Sequence, residues 1–181
     1  VTLVGVINAD QQLNNDDFRS QERTFDLLTQ VVGRAGRGQY KGTAVIQTCN
    51  PENDVIQIAA RQDYDAFFKD ELKTRKMLIY PPYCDICLIG FIGENEPKVR
   101  VASQKYTDRL KEKLAGEYKD LKIIALGPMT ARVSKISNKF RYRLILKCKN
   151  TKRFRALMNE LLKYTGTDRA YNDVSVYIDI N

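Results

Sequence analysis

Lys139-Phe140-Arg141-Tyr142-Arg143-Leu144-Ile145-Leu146-Lys147-Cys148 alternates cleanly between two kinds of side chain. Phe140, Tyr142, Leu144, Leu146 and Cys148 share one face at a period of two, and Lys139, Arg141, Arg143 and Lys147 share the other with Ile145. This predicts a strand whose apolar face packs on helices and whose charged face lies on the open side of a sheet or at an edge. Working outward, Cys84–Ile92 reads as a strand, Pro97–Tyr118 as a helix and Leu121–Leu126 as a strand that ends in a turn at Gly127-Pro128. Phe140–Cys148 follows as a strand, Lys152–Tyr164 as a helix and Val174–Ile180 as a strand. The order is β-α-β-β-α-β, the split β-α-β or ferredoxin-like arrangement, with both helices on one sheet face. The expected fold class is α/β in the α+β sense.

The chain before Pro82 has a different rhythm. Val1–Ile7 and Thr43–Thr48 read as buried strands, and residues 8–20 as a polar loop. Ser20–Val32 reads as a helix with Ser20 as its N-cap, Phe25, Leu28 and Val32 recurring at helical spacing. Pro51 opens a short helix through Ala60, and a longer amphipathic helix spans Asp63–Leu78 with Tyr64, Phe67, Phe68, Leu72 and the Arg75 stem on one side. Pro81-Pro82 stops it. The expected division is residues 1–62, a connecting helix over 63–82, and a domain over 83–181. Because Val1 already lies inside an apolar run, the sequence is expected to be a piece of something longer.

Composition narrows the function. The 181 residues carry 30 basic and 22 acidic side chains and no histidine, for a net charge of +8, and 43% are hydrophobic. That is enough apolar content for a core. Without histidine there is no Ser-His-Asp triad, histidine base or histidine-containing metal site. No apolar run approaches the ~20 residues of a membrane span, and no leader pattern opens the chain. Residues 1–82 are nearly neutral at net −1, whereas residues 83–181 carry +9. From Leu121 to Asn159 there are eleven Lys or Arg and no acid. Such a field attracts polyanions, though a solvated basic face would give the same charge count.

Gln30-Val31-Val32-Gly33-Arg34-Ala35-Gly36-Arg37-Gly38 is the stretch with the most chemistry in it. Two arginines three apart follow a helix among glycines, which permit close approach to a ligand and positive φ. A guanidinium grips phosphate oxygens bidentately and stays charged. Taken bare, the stretch also fits a surface loop with two solvated arginines. Its surroundings resemble a known family. Gln-x-x-Gly-Arg-x-Gly-Arg is similar to motif VI of superfamily-two helicases. The longer run resembles the PriA-type replication-restart helicases, also called primosomal protein N′. It comprises Thr2–Val6, Ala9-Asp10, Asp17-Phe18-Arg19, Glu22-Arg23-Thr24 and Leu27–Arg37. The likeness continues through Gly42, Gln47-Thr48, Asn50-Pro51, Asp63-Tyr64, Phe67 and Tyr80-Pro81-Pro82. It returns at Leu126-Gly127-Pro128 and Tyr142-Arg143.

The resemblance implies the end of a second RecA-like motor lobe followed by the family's C-terminal domain. It implies that the parent is an ATP-dependent 3′-to-5′ DNA helicase, recognising stalled forks and D-loops and restarting replication by primosome assembly. Arg34 and Arg37 would act catalytically on ATP, with Gln30 and Gly33 at the nucleotide. ATP, Mg²⁺ and zinc would be held by upstream parts of the parent, and the chain alone would bind none and be inactive. It contains neither a Gly-x-x-x-x-Gly-Lys-Ser/Thr phosphate loop nor an Asp-Glu-x-His box. Implied partners are forked and single-stranded DNA, the single-stranded-DNA-binding protein and other primosome proteins. Membranes are not among them, and the implied location is the bacterial cytoplasm at the nucleoid. Arg19 and Asp10 occupy family-like positions and read as loop salt-bridge residues.

Cys84-Asp85-Ile86-Cys87 is a lone C-x-x-C, with Cys49 and Cys148 each inside a different expected strand. A structural zinc site needs four ligands. Reduced thiols, buried or half-buried, are the expectation, with metal or redox chemistry as the alternative and no metal ligand assigned. The DNA-binding candidates are Lys139, Arg141, Arg143 and Lys147, flanked by Arg132 and Lys135. Phosphate contacts from such a row give sequence-independent, salt-sensitive binding. A charged face that guards a sheet against edge pairing is the competing explanation. The rival function is a stand-alone, non-enzymatic nucleic-acid-binding module in which Gly33–Arg37 is only a loop.

Overall fold

The structure is a computed structural model that describes residues 2–35 and 42–180. Arg37 and its glycine neighbours Gly36 and Gly38 lie outside the described residues. The chain divides into two compact units, Val1–Leu78 and Ile79–Asn181. It is mixed α/β: the described residues form six helices, a four-stranded antiparallel sheet and a small parallel sheet.

In the first unit, β1 (Leu3–Val6) and β2 (Thr43–Ile46) pair in parallel, with Leu3 opposite Thr43 and Val6 opposite Ile46. Between them run α1 (Asp10–Leu13) and α2 (Ser20–Val32), and after them α3 (Asp54–Ala60) and α4 (Tyr64–Leu78). The strands are not buried as expected. Val6 and Ile46 pack on the helical cluster, while Leu3 and Val45 on the opposite face stay 62% and 54% exposed. Parallel strands read as apolar on both sides because they normally have a layer on both sides. Among the described residues only one face is covered.

Other expectations shift by a few residues for identifiable reasons. Residues 8–20 hold a short helix, α1, rather than only a loop. Arg19 rather than Ser20 sits at the N-cap of α2, and Ser20 is buried in its first turn. α3 starts after Pro51, where Asn53 Oδ1 accepts from the Val55 N–H at 3.0 Å. The buried face of α2 is Ser20, Thr24, Phe25 and Leu28. Phe25 stacks on Phe67 of α4 with centroids 4.1 Å apart. α4 is tied further by Arg75. Its guanidinium donates to Glu71 at 2.7 Å and to Glu22 of α2 at 2.9 Å, with side chains only 14% and 10% exposed at Arg75 and Glu71. The helix stops because Ile79 takes up a left-handed conformation, φ 54°, two residues before the Pro81-Pro82 breaker.

The second unit follows the expected element order. It comprises β3 (Asp85–Gly93), α5 (Glu96–Ala115), β4 (Ile124–Ile136), β5 (Lys139–Cys148), α6 (Lys152–Thr167), a 3-10 turn at Arg169–Tyr171 and β6 (Val174–Ile180). The sheet order is β4-β5-β3-β6. Asn95 caps α5 through the Lys98 N–H, and Thr151 caps α6 through the Phe154 N–H. One core holds Cys87, Ile89 and Phe91 of β3, Leu144, Leu146 and Cys148 of β5, Val99, Tyr106 and Leu110 of α5, and Phe154, Leu157 and Leu161 of α6. Phe91 meets the Tyr106 ring edge-on at 5.4 Å.

Gly127-Pro128 does not turn the chain. Leu126 pairs with Ile145 and Met129 with Arg143, so both sides of Gly127-Pro128 lie on the same neighbour and the pair forms a bulge within β4. Gly127 sits there at φ 111°, which only glycine adopts readily. The reversal comes later, where Ile136 pairs with Lys139 around Ser137 and Asn138, both at positive φ (48° and 62°). Two such residues make the primed two-residue turn suited to strand twist.

The cysteines divide by burial. Cys49 lies exposed beyond the end of β2, not inside a strand, whereas Cys84, Cys87 and Cys148 are buried. Burial pushes the Cys87 and Cys148 thiols from the ordinary 9.0 up to about 12. The folded state therefore holds these protons more tightly than the unfolded chain. Their contribution to stability is complete below pH 9.0 and is lost as pH rises toward about 12. Unfolding titrations of the wild type and Cys87→Ala should diverge in pH dependence across that window. Near neutral pH a maleimide should label Cys49 at once, and Cys87 and Cys148 only at the rate of unfolding. Labelling of all cysteines at one fast rate would contradict the burial.

Candidate nucleic-acid interface

Alternation along β5 sends Leu144, Leu146 and Cys148 into the helix-covered core. Arg141, Arg143, Ile145 and Lys147 are therefore on the opposite, helix-free face, with Lys139 at its hairpin end. Register fixes their company. Lys147 lies beside Ile86 and Ile124, Ile145 beside Leu88 and Leu126, Arg143 beside Gly90 and Met129, and Arg141 beside Ile92. β6 adds Ser175, Tyr177 and Asp179 opposite Ile92, Gly90 and Leu88. The face is thus a row of cations set among half-exposed aliphatic side chains, with one acid near one end.

Of the six basic candidates, the structure brings Lys139, Arg141, Arg143 and Lys147 together. Successive same-face residues repeat at about 6.5–7 Å. The Lys147 ammonium sits 3.8 Å from the Tyr80 ring centroid, an attraction that positions it while leaving its charge intact. Lys135 is placed apart from the row. It pairs with Phe140, on the other face of the sheet, and its ammonium lies 4.7 Å from that ring. Arg132 falls between Thr130 and Lys135, where the β4–β5 register shifts. The sequence pattern could not have placed these two, because an irregular strand loses the period of two. Alternation along β6, with Val174, Val176, Ile178 and Ile180 turned to the core, puts Tyr177 on the same open face, a position that charge alone does not signal.

The arginine motif of the first unit begins at the C-terminal end of α2. The Gly33 N–H donates to Thr29 O at 2.9 Å, and the Arg34 and Ala35 N–H groups then donate one residue nearer, to Val31 and Val32, each at 3.1 Å. Gln30 and Arg34 are both exposed there. Gly33 is at φ −66°, an ordinary helical conformation. Asp10 is not in the salt bridge expected of it. The Thr48 hydroxyl and the Cys49 N–H, both at 2.7 Å, hold its carboxyl below the usual carboxylate range and clamp α1 to the turn after β2. Arg19 lies over the Phe18 ring at 5.0 Å. Among the described residues no group of three or more His, Cys, Asp or Glu side chains is placed to hold a metal. Nor is any helix there long and apolar enough to cross a membrane.

Residues 76–181 match the family described as the primosomal protein N C-terminal domain. The chain belongs to the PriA family of replication restart proteins. Over all 181 residues it is 36% identical to the replication restart protein PriA of Bacillus subtilis (strain 168), covering 22% of that protein. It is 42% identical to PriA of Synechocystis sp. over 147 residues, 81% of this chain and 17% of the relative. With PriA of Thermotoga maritima it shares 35% over 168 residues, 93% of this chain and 21% of the relative. The chain therefore spans about a fifth of the length of these PriA relatives. Among solved structures, the de novo designed protein Foldit4 aligns with 54% of this chain and 94% of its own at a TM-score of 0.37 and 13% identity, too little to argue from.

Proposed function

We propose that this chain is the C-terminal part of an ATP-dependent 3′-to-5′ DNA helicase that recognises stalled forks or D-loops and restarts replication through primosome assembly. Residues 1–62 form the end of a RecA-like lobe, 63–82 a connecting helix, and 83–181 a ferredoxin-like domain that holds DNA. The observation carrying this reading is the exposed Gln30-x-x-Gly33-Arg34 end of α2 in a chain that matches PriA along its whole length. Gln30 and Gly33 would border the nucleotide. Arg34 and Arg37 would face charge developing on its phosphates, where such a guanidinium is worth ~10³–10⁵ in rate. ATP and Mg²⁺ would be bound mainly by the rest of the protein, and zinc further upstream. Its partners are then forked and single-stranded DNA, the single-stranded-DNA-binding protein and the other primosome proteins, at the bacterial nucleoid.

We assign the DNA contact to the face carrying Arg141, Arg143 and Lys147, with Lys139 at its hairpin end; Arg132 lies in the irregular part of β4, and Lys135, on the other face, is left out of it. What supports it is the row of cations on one sheet face together with the +9 of residues 83–181. A salt titration of the 181-residue chain on fork and single-stranded DNA tests it. Binding should be indifferent to sequence and fall steeply with salt, and each removed contact should lower the logarithmic slope by ~0.7–0.9. An Arg141/Arg143/Lys147 triple alanine variant with the wild-type slope and affinity would show the face to be merely solvated.

A further inference from the structure

We infer that the open face of the second unit reads the single-stranded state of DNA, through a base stacked on the ring of Tyr177. This rests on the assignment of DNA to that face and adds a contact that the cations cannot make. Gly90 sits in β3, the strand between Arg143 on β5 and Tyr177 on β6, and is paired with both. A Cβ at Gly90 would come within 2.1 Å of Tyr177 Cε1, 2.2 Å of Cζ and 2.5 Å of the hydroxyl. The ring therefore lies across the glycine, toward Arg143, in space that any other residue would fill. It remains 38% exposed, so it is not a core residue in disguise.

The spacing suits a nucleotide. Neighbouring strands are about 4.8 Å apart, so the β6 row that carries Ser175, Tyr177 and Asp179 and the basic row of β5 are about 10 Å apart at their backbones. The ring's lean over Gly90 shortens that gap. A base lying on Tyr177 then has its own sugar-phosphate over Arg143, and the next phosphate along falls toward Arg141 or Lys147. Ile92 and Leu88 flank Gly90 and offer the base edges an apolar border. A paired base inside a duplex has no free face for the ring. Duplex DNA meets the cations alone, and single strands meet both.

The simplest competing role for Tyr177 is to cover the glycine beneath it. Three variants of the 181-residue chain separate the two: Tyr177→Phe, Tyr177→Leu and the Arg141/Arg143/Lys147 triple alanine. Leucine still shields Gly90 but has no ring. The probes are oligothymidylate, an abasic oligonucleotide of equal length and a duplex. Wild type and Tyr177→Phe should bind oligothymidylate about 5–100-fold more tightly than the abasic strand, the range a single base–aromatic stack supplies. Tyr177→Leu should lose that margin while binding the abasic strand and the duplex as wild type does. In the wild type, Tyr177 ring-proton resonances should shift upfield with oligothymidylate and not with the abasic strand. An unchanged margin in Tyr177→Leu, or an equal loss on all three probes, overturns the stacking inference. A triple variant that binds every probe as wild type does overturns the assignment of DNA to this face instead.

Discussion

In the full-length protein, Arg34→Ala should lower ATP turnover by about 10³–10⁵-fold while leaving DNA affinity nearly unchanged. An arginine that meets a phosphoryl group acts on charge that exists fully only in the transition state, so its loss appears in kcat and hardly in ground-state binding. The position suits this. Arg34 leaves the end of α2 on a tightening turn, exposed and on a short backbone, with Gln30 one turn earlier on the same helix. Arg37→Ala should behave alike. Steady-state turnover on forked DNA, read beside fluorescence anisotropy of DNA binding, checks both. Wild-type turnover in the two variants would remove them from the phosphoryl-transfer step. A parallel loss of DNA affinity would make them a grip on DNA.

Phe91→Ala should destabilise the second unit by about 3–5 kcal/mol, read as a fall in denaturant midpoint with little change in slope. Phe91 is fully buried in the central strand, against Tyr106. Its removal forfeits both the transfer of a large ring from water and the packing around the void. Such a loss is a large share of the 5–15 kcal/mol that ordinarily separates folded from unfolded. Salt-sensitive DNA binding should be retained below the new transition, because the substituted ring is on the far side of the sheet from Arg143. A change under 1 kcal/mol would mean that the core collapses around the cavity far better than its close packing suggests.

The second unit was legible from sequence because its helices and most of its strands keep their periods. β5 puts every second residue into the core, and α5 buries Val99, Ala102, Tyr106 and Leu110 at helical spacing. The errors fall where a period breaks. Gly127-Pro128 looks like a turn, yet the strand continues past it, because β5 is long enough to pair on both sides of the bulge. In the first unit, the apolar runs at Leu3–Val6 and Thr43–Ile46 read as buried because parallel strands are ordinarily covered on both faces, yet among the described residues only one face is covered. On the open face, charge singles out Arg141, Arg143 and Lys147 but gives no sign of Tyr177, whose place over a glycine 87 residues earlier depends on strand pairing. Only strand pairing brings those two together.

That same pairing makes the basic face a non-local object. Its residues come from β3, β4, β5 and β6, and Cys87 on the central strand is paired with Ile180 at the far side of the unit's sequence. The cations alone lie on one strand, β5, and a partly folded chain keeps their charge, but only the completed sheet sets Tyr177 and the aliphatic side chains of β3 and β4 beside them. Ligand affinity then becomes a term in folding. If the face binds DNA as proposed, DNA at one hundred times the dissociation constant would favour the folded unit by at most about 2.7 kcal/mol, less whatever the unfolded chain binds. Salt that weakens the proposed DNA contact would lower that gain in step with the lost affinity.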